Sequence, residues 1–156
     1  TALQVACNLH KPKNLTVLTN TLKVAQEVLS YKRFNVILLG GNIRNSSESV
    51  VGALAESNLK MFYCDKLFMG VDSFSVENGL STPSFEEANI NQIMIQRSRE
   101  VIAVFDSSKV NKRALAFITM ADQLDTVVTD TGMDKATRNQ LKAMNVNVIA
   151  VRPDSV

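Results

Sequence analysis

Apolar residues in this chain fall into short runs separated by segments with helical spacing. Leu15-Thr16-Val17-Leu18 reads as a strand, and Thr19-Asn20-Thr21 supplies side chains able to cap a helix over Leu22–Ser30, where Val24, Ala25, Val28 and Leu29 form one stripe. Asn35–Leu39 is the next strand and runs into Gly40-Gly41. A second helix is expected over Ser49–Met61, with Val50, Val51, Leu54 and Ala55 inward. Lys66–Val71 is a third strand, followed by a Ser-, Asn-, Gly- and Pro-containing loop from Ser73 to Ser84. Ser84 with Glu87 makes a capping box for a helix running to Arg99. Val101–Phe105, Thr126–Thr129 and Asn147–Val151 complete the strands, with a helix near Asp134–Met144. The alternation predicts an α/β fold, Rossmann-like, with a mostly parallel sheet flanked by helices.

The most informative run is VIAVFDSSK, residues 101–109. Five apolar residues stop at a carboxylate, two hydroxyls and an ammonium group. A continuous apolar run of that length reads as a strand buried on both faces. In open α/β sheets ligands bind beyond the carboxyl ends of the strands. Asp106, Ser108 and Lys109 therefore stand where a small polar or anionic ligand would be held.

Composition narrows the classes. At 156 residues, one domain is expected, and 46% hydrophobic with 21% charged residues is ordinary for a globular protein. No apolar run approaches a membrane span. Residues 1–7 show no signal-peptide pattern and read as the middle of an amphipathic helix with Leu3, Ala6 and Cys7 on one side, so a fragment of a longer cytoplasmic protein is expected. A net charge of +2 with scattered basic residues, grouped only as Lys11/Lys13 and Lys32/Arg33, gives this piece no nucleic-acid face. Cys7 and Cys64 form no CxxC and read as reduced, mostly buried thiols. The single His10, read as a surface or cap residue, excludes multi-histidine metal sites and a Ser-His-Asp triad. Neither GxGxxG nor a P-loop is present, and no cofactor is expected.

What remains is a set of polar loops after strands: 19–21, Gly40 to Arg44, Gly70 to Asp72, Gly79 to Pro83 with Glu87, and Asp106 to Lys109. Glycines and helix N-termini there would favour an anion, Lys109 and Arg44 would add charge, and Asp72, Glu87 and Asp106 would accept hydroxyls. That inventory suits a phosphorylated sugar. Each member also has a plainer reading. Asn20 and Asp106 serve as caps, Gly40-Gly41 as a turn, Glu87 as part of its capping box and Arg44 as a solvated loop residue.

In this order and spacing, LTVLTNTLKVAQ (15–26), VILLGGNIR (36–44), DKLFMGVDSF (65–74), ENGLSTPSFEEANINQIMI (77–95), VIAVFDSSKVN (101–111) and DTVVTD (125–130) resemble the effector-binding C-terminal domain of the DeoR family of bacterial transcriptional regulators. GLST and DSSK are similar to the branch responding to amino sugars or sugar alcohols. The resemblance implies a fold like ribose-5-phosphate isomerase, glucosamine-6-phosphate deaminase and coenzyme A transferases. It implies residues 1–156 as an effector-binding domain, a phosphorylated sugar, sugar alcohol or amino sugar as effector, and a homo-oligomer. It also implies operator DNA bound through an N-terminal winged helix-turn-helix, which the sequence lacks together with a first strand and Gly-Thr-Thr-type phosphate loop, Thr1 excepted. Carried onto this chain, the ligand site is Asn20, Gly40, Gly41, Arg44, Gly70, Asp72, Glu87, Asp106, Ser108 and Lys109. Two positions depart from the family: Asn91 stands where many members have Lys, and Val110 where an aromatic residue is common. The implied role is a repressor controlling a carbohydrate operon, without catalysis. The alternative is a sugar-phosphate isomerase or deaminase on the same fold, with Asp72, Glu87 or Asp106 as base.

Overall fold

The computed structural model describes residues 2–9 and 14–152, and the chain packs as two compact units, residues 1–62 and 63–156. Thr1, His10 and the Lys11/Lys13 group lie outside the described residues.

In the first unit, helix α1 (Ala2–Cys7) packs on α2 (Leu22–Ser30), which covers the parallel pair β1 (Thr16–Thr19) and β2 (Asn35–Leu38). The Tyr31 hydroxyl lies 2.7 Å from the Cys7 carbonyl and joins α1 to the end of α2. The helix over Ser49–Met61 is a correction. Ser49–Val51 is strand β4, antiparallel to β3 (Asn42–Arg44), and only Ala53–Leu59 is helical (α3). Two β-branched valines buried in a hairpin outweigh the helical spacing, and Gly52 at φ 93 turns the chain between the two elements. Leu54, expected inward, is 60% exposed, while Ala55 and Leu59 are buried.

The second unit carries the parallel sheet, in the order β11 (Asn147–Val151), β10 (Thr126–Asp130), β8 (Ser98–Val104), β5 (Cys64–Gly70). Every neighbour in that sheet is parallel, as the α/β reading requires. Helix α4 (Phe85–Gln96) precedes β8 and α5 (Lys135–Ala143) precedes β11. Ser84 caps α4, its hydroxyl accepting the Glu87 N–H, and Asp134 caps α5 through Thr137. The α4 helix ends at Gln96 and not Arg99, because β8 begins at Ser98, which pairs with Cys64.

The expected loop over Ser73–Ser84 is instead a hairpin of β6 (Ser73–Ser75) and β7 (Gly79–Thr82), extended by β9 (Ala116–Thr119). Its small polar residues alternate with Phe74 and Leu80, which sit opposite each other and are wholly buried. Phe74 stacks on Phe105 with centroids 5.1 Å apart, in a core shared with Ala103, Val127 and Leu141. Cys7 and Cys64 are free and half-buried, less enclosed than expected.

Among the described residues one buried side-chain group is left over. Thr129 is 3% exposed, and its hydroxyl has no hydrogen-bond partner. Thr129→Val removes that orphan without emptying the space, so the variant should gain about 1 kcal/mol in denaturant unfolding. A loss of stability would show that the hydroxyl is satisfied.

Candidate functional site

Within the first unit the candidate residues do local structural work. The Asn20 side-chain amide donates to the Val50 carbonyl at 3.2 Å, and the Asn20 backbone carbonyl accepts the Val50 N–H at 2.6 Å. Asn20 thereby clamps β4; the helix cap expected of residues 19–21 falls to Thr21, which makes no side-chain capping bond. The Gly40 N–H lies 3.4 Å from Asn58 Oδ1. Gly41 sits against β4, where a Cβ would come within 2.8 Å of the Val51 carbonyl and 2.9 Å of Val50 Cγ1, so the position admits only glycine. Arg44 closes β3 opposite Ser49.

In the second unit the candidates gather at one edge of the parallel sheet. Gly70 is in register with Val104, so β5 and β8 end side by side, and a Cβ on Gly70 would meet nothing within 4 Å. Beyond those ends, Phe74 bridges Val110 and the Lys112 N–H donates to the Phe74 carbonyl. The loops that carry Asp72 and Lys109 are thus stitched together.

Asp72 and Glu87 share one hydroxyl. Thr82, 1% exposed at the end of β7, donates to Asp72 Oδ2 at 2.8 Å and lies 3.2 Å from Glu87 Oε2. A hydroxyl has a single proton, so it can satisfy only one of these carboxylates at a time.

Residues 107–109 form a single 3-10 turn whose N–H groups are all engaged. Ser107 N–H donates to Asp130 Oδ2 at 2.7 Å and Ser108 N–H to Asp106 Oδ1 at 3.0 Å. Lys109 N–H goes to the Asp106 carbonyl and Val110 N–H to the Ser107 carbonyl. This turn has no backbone donor left for a phosphate, and the first turn of α4 already carries Glu86 and Glu87. Positive charge at this edge comes from a side chain. Lys109 is half-buried and makes no ion pair among the described residues.

Hydrogen bonding from Ser108, chiefly its hydroxyl, holds the Asp106 carboxyl below the usual carboxylate range, with the Lys109 ammonium adding to the effect. Asp130 is lowered too, first by the Ser107 N–H and then by the Ser107 hydroxyl and the Gly132 N–H. Thr82 and Asp130 are absent from the residues named from sequence. Thr82 lies inside GLST, and Asp130 repeats at the end of β10 the strand-then-carboxylate signal of Asp106. Two clefts of about 310 Å³ lie elsewhere, one at the amino ends of β5 and β8 around Tyr63 and Arg97, the other around Asn14, Thr16 and Arg33. No candidate residue lines either, and Asp72, Asp106 and Ser108 stand exposed on an open strand edge.

A family model described as the DeoR C terminal sensor domain matches residues 1–131. The chain belongs to this family. Among similar proteins, this sensor domain is 32% identical over 151 residues to a putative aga operon transcriptional repressor of Escherichia coli O157:H7, covering 97% of the chain and 56% of that protein. It is 30% identical over 149 residues to the HTH-type transcriptional regulator GlpR of Haloferax volcanii, covering 96% of the chain and 58% of that protein. It is also 35% identical over 137 residues to the uncharacterized HTH-type regulator YulB of Bacillus subtilis, covering 88% of the chain and 53% of that protein. The sensor domain spans little more than half the length of these relatives. Among its described residues no helix is long and apolar enough to cross a membrane, and no group of three His, Cys, Asp or Glu side chains is placed to hold a metal.

The lowered Asp106 carboxyl stabilises the fold when ionised. Its contribution is complete above the unfolded value of about 3.9 and lost as pH falls through the lower folded value. Asp106→Ala should therefore unfold more readily than the parent at pH 7, with the gap narrowing in acid below about pH 4. A gap independent of pH in urea titrations would assign the loss to packing.

Proposed function

We propose that this sensor domain binds a phosphorylated sugar, sugar alcohol or amino sugar at the carboxyl edge of its parallel sheet. Binding there regulates operator binding by a winged helix-turn-helix elsewhere in a homo-oligomeric, cytoplasmic repressor. The observation that carries the reading is Lys109: a half-buried lysine with no ion pair among the described residues, on a hydrogen-bonded turn, with Asp72, Glu87 and Asp106 on the same sheet edge. An ammonium so placed favours an anion, while carboxylates accept hydroxyl or amine hydrogens. Ser108 and Gly70 complete the proposed lining. The regulator and repressor names of the relatives support a role in transcription. Effector and operator affinities would be linked by a coupling free energy of about 1–3 kcal/mol.

The phosphate falls to Lys109 in this reading, because the N–H groups of its turn are occupied. Lys109→Ala should weaken binding of a phosphorylated ligand about tenfold or more, with little change in melting temperature. The measurement is a thermal-shift and calorimetric screen of phosphorylated hexoses, hexitols and amino sugars against the protein that carries this domain. Unchanged affinity, or collapse of the fold, would remove Lys109 from the site.

The enzymatic alternative draws on one observation, the paired carboxylates of Asp72 and Glu87 around Thr82. Incubation with the same sugar phosphates should give no isomer and no released ammonia. Robust turnover abolished by Glu87→Gln would replace sensing by catalysis.

A further inference from the structure

The Asp130 carboxylate reaches across from the end of β10 to the turn that follows β8. Its Oδ2 accepts the Ser107 N–H at 2.7 Å and its Oδ1 the Gly132 N–H at 2.6 Å, so both oxygens are used. The lowered carboxyl keeps this clamp ionised at neutral pH. Gly132 is part of the device: a Cβ there would collide with the Ser107 hydroxyl and lie 2.7 Å from Asp130 Oδ1. The strands beneath are locked in parallel register, Thr126 with Ile102 through Val128 with Val104, and the Phe105 N–H donates to the Val128 carbonyl. Ser107 is thus held at a fixed offset from β10, and Lys109 follows it two residues later in the same 3-10 turn.

From this we infer that Asp130 is a positioning residue for ligand binding: by clamping the Ser107–Lys109 turn to β10 it sets where the Lys109 ammonium stands. The inference rests on the phosphosugar reading of the edge. Asp130 makes no contact with ligand in this role. A carboxylate-accepted bond of this kind ties the turn to β10 more firmly than a bond to a neutral acceptor would. Preorganising a charged group costs nothing at the moment of binding, whereas a loose lysine must be ordered by the ligand.

Two experiments test this on the protein that carries the domain. The first needs no ligand. Hydrogen exchange at the amides of residues 107–110 should accelerate about tenfold or more in Asp130→Asn, with β8 and β5 unchanged. Unaltered exchange there would overturn the clamp. The second uses whichever phosphorylated sugar gives the largest thermal shift in the screen above, alongside its unphosphorylated parent. Asp130→Asn should weaken the phosphorylated ligand about tenfold and the parent sugar less than about twofold, and it should add nothing in a Lys109→Ala background. Equal losses in both backgrounds would make Asp130 merely structural. Should Asp130→Asn fail to fold, Gly132→Ala loosens the same contact without removing charge and should show the same pattern. Should no sugar phosphate bind the parent protein, the phosphosugar reading fails, and the exchange measurement still decides the clamp.

Discussion

Burial of β8 on both faces is the constraint on which the second unit depends. Val101, Ile102, Ala103, Val104 and the following Phe105 are all 7% exposed or less. Burying each large member contributes roughly 1.5–3 kcal/mol relative to leaving it in water. A strand apolar on both sides must be covered on both sides and paired on both edges. Strands β5 and β10 supply the pairing, in parallel, and parallel pairing makes all three chains end at the same edge. The Phe74–Phe105 stack then fixes the loop after β5 against the strand that precedes Asp106.

The polar edge inherits its order from that core. The turn at 107–109 spends its N–H groups on Asp106, Asp130 and its own carbonyls, which gives it a defined shape and leaves no backbone donor for a ligand. Under the proposed reading a ligand at this edge would meet side chains, namely those of Lys109, Asp72, Glu87 and Asp106. Thr82 adds a different constraint, one buried hydroxyl addressing two carboxylates.

Elements whose signals are local were legible. The α2 helix spans Leu22–Ser30 and β11 spans Asn147–Val151, as their periodicity requires, and Ser84 caps the helix that follows it. Segments whose partners lie farther along the chain were not. Val50 and Val51 carry helical spacing but are captured by β3, and the polar stretch after Asp72 folds as a hairpin because Phe74 and Leu80 find each other across it. Propensity is a weak prior that such pairing overrides.

The sequence by itself determined the fold class, the family likeness and the polar character of the strand ends, because apolar period and strand-end chemistry are written in neighbouring residues. Only tertiary structure decided how those ends are wired. The Asp130 carboxylate meets Ser107 across 23 residues, and Thr82 meets Asp72 across 10. Both contacts exist because parallel register and hairpin pairing bring particular backbones together. That information resides in which strands neighbour each other, and no short window of sequence contains it.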